Sequence, residues 1–257
     1  MSKTYFAVSA RTAIGLARSG NEDSAVTGSS LLAVADGMGG HAGGEVASRI
    51  AITTLAGLVP VLTALEIDTD SIEDLLLNSL HTIDEEISRV ASDEIELRGM
   101  GTTLTALLIR DGRVALLHVG DSRCYRLRGN TFEQLTHDHT VLQELLDSGS
   151  ISMSEAHDHP QRSMLTQVLM GEGSIAPVLM VYEVNSKDRF LLCSDGLSSV
   201  LTEKEIKSLL KKSNRDEAVE ALVEATYVNG APDNVTVVVA DVIEEEKHLV
   251  QLLGAAQ

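Results

Sequence analysis

The sequence predicts an α+β domain built in layers, and three observations carry that prediction. Nine short runs rich in β-branched and bulky apolar residues are distributed along the chain. Several are joined by two-residue turns, Asp111-Gly112 and Gly129-Asn130, which mark antiparallel hairpins. Helical periodicities fall in blocks between groups of these runs, whereas a parallel doubly wound sheet would alternate one strand with one helix.

In chain order, strands are expected at 5–10 and 31–35, followed by a helix over about 44–58. The strongest helix is 71–90, where Ile72, Leu75, Leu76, Leu80, Ile83, Ile87 and Val90 share one face behind Ser71 as N-cap, with Asp74 three residues on. Strands at 102–110, 113–119, 122–128 and 131–135 precede a short helix at 140–148. The segment 149–176 mixes polar residues, a proline and glycines, and reads as a surface flap. Strands at 178–184, 189–193 and 235–242 bracket helices at 203–212, capped by Thr202 with Glu205 three later, and 215–228. Nothing resembling a linker or repeat divides the sequence, so residues 1–242 are expected to form a single domain with a tail, 243–257, ending in an amphipathic turn of Leu249, Leu252 and Leu253.

The 257 residues are 44% hydrophobic but only 3% aromatic, so Leu, Val, Ile and Ala must supply the core. A net charge of -18 repels phosphate backbones and anionic bilayers, which argues against nucleic acid and membrane partners. The N-terminus lacks a continuous apolar leader and no window reaches the length of a membrane span, so a cytoplasmic location is expected. Cys124 and Cys193 lie in apolar runs without paired spacing and read as small buried hydrophobes.

Asp-Gly occurs three times. Between two apolar runs at 111 and 112 it is a hairpin turn. In "LLAVADGMGGH" and "FLLCSDGLSSV" no strand resumes, so a hairpin does not explain Asp36 or Asp195. Asp233 immediately precedes a strand, Asp121 separates two, and Glu22 with Asp23 precedes the run at 31. Carboxylates at the ends of buried strands repel one another and are costly to desolvate unless cations compensate. With oxygen-only donors, the compensating ions would be Mg²⁺ or Mn²⁺ rather than Zn²⁺. Taken singly, each aspartate is more readily read as a turn or cap residue than as a metal ligand.

Eight segments in order, "RSGNEDS", "VADGMGGHAGGEVAS", "GMGTTLTALLI", "HVGDSRCYRLR", "LTHDHT", "HPQRSMLTQVLMG", "LLCSDGLSSV" and "PDNVTVVVA", resemble the bacterial metal-dependent protein phosphatases of the protein phosphatase 2C type, across residues 5 to 242. The resemblance implies a four-layer α-β-β-α sandwich of two antiparallel sheets. It also implies that Asp36 bridges two ions, with the Gly37 carbonyl on the second, Asp195 and Asp233 on the first, and Glu22 and Asp23 contacting ions or their waters. Asp121 and Asp195 would share a third ion that Ser163 in the flap completes, and Arg18 would hold the substrate phosphate. The implied function is hydrolysis of phosphoserine and phosphothreonine on proteins by a metal-bridging water, with Mn²⁺ or Mg²⁺ as cofactor, opposing a cognate bacterial Ser/Thr protein kinase, in a monomer.

Eukaryotic members commonly place a histidine directly after this Asp-Gly, whereas this chain has Met38 there and His41 three residues on. His41 and a metal-bound water are therefore alternative acids for the leaving group. His137, His139, His157 and His159 read as structural or surface histidines. A non-catalytic phosphoprotein-binding relative and a calcium-binding protein are the alternatives to an enzyme.

Overall fold

The computed structural model describes residues 3–40, 42–64, 69–156, 159–173, 175–244 and 250–257. The strands among them are β1 (Tyr5–Ala13), β2 (Asp23–Thr27), β3 (Leu31–Met38), β4 (Gly101–Thr102), β5 (Leu104–Arg110), β6 (Arg113–Val119), β7 (Arg123–Arg128), β8 (Thr131–Gln134), β9 (Val178–Glu183), β10 (Arg189–Cys193), β11 (Val235–Ile243) and β12 (Gln251–Gly254). The helices are α1 (Gly43–Ala56), α2 (Val59–Ala64), α3 (Thr69–Asp93), α4 (Val141–Asp147), α5 (Met153–Ala156), α6 (Asp195–Ser198), α7 (Glu203–Leu210) and α8 (Arg215–Val228).

Two antiparallel sheets result. One runs β1-β11-β10-β7-β8; the other runs β12-β2-β3-β5-β6-β9, with β4 paired to the end of β3. Alternation of side chains along each strand then makes three apolar layers. In β3, Leu32 and Val34 meet Val238 and Ala240 of β11 in the seam between the sheets, while Leu31, Ala33 and Ala35 pack outward. The outward set receives α1 and α3 through Ala51, Ile52, Leu55, Leu76, Leu80 and Ile83. On the other side, Val235, Val237 and Val239 of β11 face Leu197 of α6, Ile206 and Leu210 of α7, and Leu222 of α8. Each fully buried Leu or Ile contributes about 1.5–3 kcal/mol of transfer free energy. The order helix, sheet, sheet, helix is the four-layer sandwich expected.

Local chemistry explains the elements. Asp111 and Gly112 turn the β5–β6 hairpin at φ 48° and 78°, the left-handed pair a tight hairpin needs. Thr202 and Glu205 form a reciprocal capping box on α7. Cys124 and Cys193 are buried free thiols.

Four expectations change. Helix α3 begins at Thr69, so Ser71 lies inside it rather than at its cap. β2 carries no apolar run, yet all five of its residues are buried because it pairs with β3 on one edge and β12 on the other. The C-terminal segment is a strand rather than an amphipathic turn: Leu252 pairs with Val26 and Leu253 with Ala25, Leu253 is buried, and Leu249 lies outside the described residues. The stretch Gly43–Val61 is, contrary to the sequence reading, long and apolar enough by composition to cross a membrane. Its Ala47, Ala51, Ile52 and Leu55 are nonetheless fully buried against the second sheet.

Candidate metal centre and active site

Strand parity assembles the site. Two residues beyond Val34 on the seam-facing side of β3 comes Asp36. On β2 the seam-facing Ala25 is two residues from Asp23, and the register sets Asp23 directly opposite Asp36. The same parity brings Thr236 of β11 and Ser194, just after β10, into the seam's polar end. Asp23 Oδ2 accepts from Ser194 Oγ at 2.8 Å and from Thr236 Oγ1 at 2.7 Å. Its Oδ1 is buried with no hydrogen-bond partner among the described residues.

Asp195 opens α6, and Asp233 stands at the entry to β11. Asp121 follows Gly120, the turn after β6. The Gly120 N–H donates to His139 Nδ1 at 3.0 Å, and His139 stacks on buried His118 with centroids 4.9 Å apart. Just beyond, Arg123 grips Asp138 through Nε and Nη2 at 2.6–3.0 Å, which fixes the start of β7.

Backbone clamps hold Asp36. Its N–H donates to Thr103 Oγ1 at 3.0 Å, while its carbonyl accepts from the Thr103 N–H at 2.9 Å and from Thr102 Oγ1 at 3.0 Å. Thr103 Oγ1 is itself paired with Ser122 Oγ at 2.8 Å. At Gly37 a Cβ would lie 2.6 Å from the Glu22 carbonyl oxygen and overlap the Gly44 carbonyl, so only glycine lets the first turn of α1 rest on the end of β3. Glu22 is placed by its N–H on Asn234 Oδ1, 2.9 Å, and by Ser48 Oγ on its carbonyl, 2.6 Å.

The electrostatics are those of crowded acids. Burial, then the charges of Asp23, Asp195, Asp121 and Asp233, holds the Asp36 carboxyl well above the usual range, although its surface is partly open to solvent. Burial pushes Asp23 up to about 7 against the hydrogen bonds from Thr236 and Ser194. Asp121 is likewise pushed to about 7, by burial and then Asp195 and Asp138. Asp195 is raised by burial and Asp233, and a hydrogen bond with Asp36 partly offsets this. Carboxylates crowded in this way favour a proton among them, or a cation in its place. Glu22 is raised mainly by burial.

These features fit hard divalent ions. The donors are all oxygens, Asp23, Asp36, Asp121 and Asp195 make no ion pair among the described residues, and Asp23 Oδ1 is an unused acceptor. Among the described residues no three acidic, imidazole or thiol groups converge as closely as the ligands of a single ion. The carboxylates turn instead to Ser194, Thr236, Arg18 and one another, so ion binding requires rotation of side chains on a backbone already in place. The backbone register, which sets Asp23 opposite Asp36, is independent of these rotamers and defines the site.

Of the residues named from the sequence, Asp23, Asp36, Asp121, Asp195 and Asp233 therefore share one end of the seam, with Gly37 and Glu22 beside them. Arg18 joins them through Nη2 to Asp233 Oδ2 at 2.6 Å and is about half exposed. Ser163 lies exposed in the flap, and among the described residues no hydrogen bond ties it to the carboxylates. The neighbouring flap residues are tethered by Val141 N–H to the Met164 carbonyl, 2.9 Å, and by the Leu169 N–H to Thr102, 3.0 Å. His41 lies outside the described residues. Sequence reasoning missed Thr103, Ser194, Asn234 and Thr236. Their signal was a polar residue at, or next to, a seam-facing position of an otherwise apolar strand, as Thr236 is in "NVTVVVA".

The family model described as protein phosphatase 2C matches residues 21–226. The serine/threonine protein phosphatase PstP of Mycobacterium tuberculosis is 44% identical over 238 residues, covering 91% of this chain and 45% of that protein. This chain thus spans less than half the length of that relative. Protein phosphatase PhpP of Streptococcus pneumoniae is 35% identical over 246 residues, covering 93% of this chain and 98% of PhpP. The crystal structure of the catalytic domain of PstP in complex with two manganese ions superposes with a TM-score of 0.85 at 40% identity, covering 93% of this chain and 99% of that one.

Proposed function

We infer that this chain, which belongs to the protein phosphatase 2C family, hydrolyses phosphoserine and phosphothreonine on proteins with Mn²⁺ or Mg²⁺ as cofactor. The observation that carries the reading is the set of buried carboxylates at one end of the seam, held by the backbone and without an ion pair among the described residues. Asp36, Asp195, Asp233 and the Gly37 carbonyl would hold two ions, with Asp23 and Glu22 accepting from the surrounding waters and Asp121 and Asp195 serving a third. When bound, the ions supply Lewis acidity that activates the water between them and neutralises charge on the phosphoryl oxygens.

The chain's own groups supply the rest. Arg18 spends one donor on Asp233, and its remaining N–H groups suit a phosphate in bidentate fashion. Thr102, Thr103 and Ser122 hold the backbone of Asp36 as the charge around it changes, so the frame of the site is in place before its side chains turn to the ions. His41 and solvent remain the two candidate proton donors to the departing serine or threonine oxygen. In the cell we place the chain in the cytoplasm, as a monomer opposing a Ser/Thr kinase.

The test is phosphate release from a phosphothreonine peptide by EDTA-stripped full chain, titrated with Mn²⁺, Mg²⁺ and Ca²⁺ beside Asp36→Asn. Turnover restored by Mn²⁺ and lost in the variant supports the reading. Folded, metal-loaded protein without turnover would leave phosphoprotein binding or calcium binding in its place.

A further inference from the structure

The opposite end of the first sheet carries an open cleft of about 760 Å³. Five cations line it, Lys187, Arg189, Lys211, Lys212 and Arg215, a quarter of the 20 Lys and Arg in a chain whose net charge is -18. Two carboxylates, Asp241 and Glu244, oppose them. Such a local reversal of sign focuses attraction on anions.

Part of the cleft is frame and part is free. Arg189 is saturated: Nε and Nη2 bind Asp241 at 2.6 and 2.9 Å, and the guanidinium also donates to the carbonyls of Leu210, Lys212 and Ser213. Arg215 Nη1 shares Asp241 at 2.9 Å, but its Nε is buried with no partner among the described residues. Lys211 donates to Asn130. The ammonium groups of Lys187 and Lys212 make no hydrogen bond or ion pair among the described residues, and both residues are exposed. Lys187 is presented from a turn at φ 75°, closed by its own N–H on the Val242 carbonyl at 3.1 Å.

We propose that this cleft is a second anion-binding site that takes a phosphate group without hydrolysing it. Lys187 and Lys212 would pair with the phosphate oxygens while the Arg189–Asp241–Arg215 frame holds the walls. Eight residue steps along β11 and its approach separate Asp233 from Asp241, about 26 Å at some 3.3 Å per residue, so no single phosphoryl group occupies both sites. Among the described residues no aromatic side chain lines the cleft, which leaves a nucleotide base no described ring to stack on. The phosphate would thus be that of a phosphorylated peptide or free inorganic phosphate. The binding itself does not depend on the proposed phosphatase activity. If that activity holds, the first source is a substrate segment and the second a product.

The experiment titrates full-length chain in EDTA, where metal-dependent turnover is suppressed, with a phosphothreonine peptide, its unphosphorylated twin and inorganic phosphate, following backbone amides by NMR. Shifts at 186–189 and 210–216 with the phosphorylated ligands, weakened at least tenfold by Lys187→Glu with Lys212→Glu and by added salt, are the expected result. Tighter binding of the peptide than of inorganic phosphate assigns the site to phosphoproteins; equal binding assigns it to free phosphate. The charge-reversed protein should keep its circular dichroism spectrum and its turnover of p-nitrophenyl phosphate, which separates a lost cleft from a lost fold. Shifts confined to the Asp36 end, or equal binding of the unphosphorylated peptide, would overturn the proposal.

Discussion

At the cleft end of the first sheet, Asp188 is 1% exposed and receives Arg128 through two donors at 2.7 and 2.6 Å, plus the Asn185 N–H at 2.8 Å. Asp241 nearby is shared by Arg189 and Arg215. At the other end of the same strands, Asp23, Asp36, Asp121 and Asp195 crowd together, and Arg18 reaches only Asp233. Both ends bury aspartates where strands finish. One end compensates each with guanidinium and so stabilises the fold; the other leaves the charges to repel, which costs stability and creates a demand for cations. Burial alone does not mark a functional carboxylate. The missing partner does.

The largest effect should follow from removing a charge at the crowded end. Asp36→Asn should lower Mn²⁺-dependent turnover by about 10³-fold or more, as loss of a principal electrostatic group does. Its stability should move the other way. A carboxyl whose folded pKa is raised binds its proton more tightly folded than unfolded, so its penalty is full above the folded pKa and relieved as pH falls toward the ordinary value. In EDTA at pH 8 the variant should thus be more stable than the parent by about 1–2 kcal/mol in urea melts, with the gap closing below pH 5.

Asp241→Asn is the converse. It leaves Arg189 and Arg215 uncompensated and should cost about 3 kcal/mol of stability, while turnover per folded molecule is unchanged. A chemical melt read beside the specific activity of the folded fraction checks both halves. Equal signs for the Asp36 and Asp241 variants in EDTA would break the comparison.

Smaller still, Arg18→Lys should raise KM for a phosphopeptide by about tenfold, about 1.4 kcal/mol, because the planar fork is lost while the charge stays. The smallest effect concerns the flap. Buried Asp84 of α3 accepts from the N–H groups of Gly171 and Gly173 at 2.7 and 2.9 Å. Asp84→Asn should cost about 1 kcal/mol and speed hydrogen exchange at 171–173, leaving exchange in β10 and β11 unchanged.

Much of this was legible in the sequence, for identifiable reasons. Long periodic segments such as α3, and β-branched strands such as β11, announce themselves because burial of one face repeats in sequence. β2 and β12 do not, since "DSAVT" and "QLLG" become strands only through the neighbours they pair with, and β12 meets β2 from the far end of the chain. The aspartates of the site stood out as strand-ending carboxylates that no hairpin explains. Ser194 and Thr236 were hidden because their role rests on reaching Asp23 across 171 and 213 residues of sequence. The arginine frame at Asp241 was hidden likewise: Arg189 and Arg215 look like ordinary surface cations until the register of β10 on β11 brings Arg189 opposite Asp241.

If the crowded end is a cation site centred on Asp36, the number of ions it takes up will show it. Isothermal titration of the EDTA-stripped, desalted chain with Mn²⁺ at pH 8, checked by electron paramagnetic resonance of the free ion, should show at least two ions per chain with release of protons. Asp36→Asn should bind fewer ions and release fewer protons. Folded protein that takes up no Mn²⁺, or a variant that binds as many ions as the parent, would contradict the account.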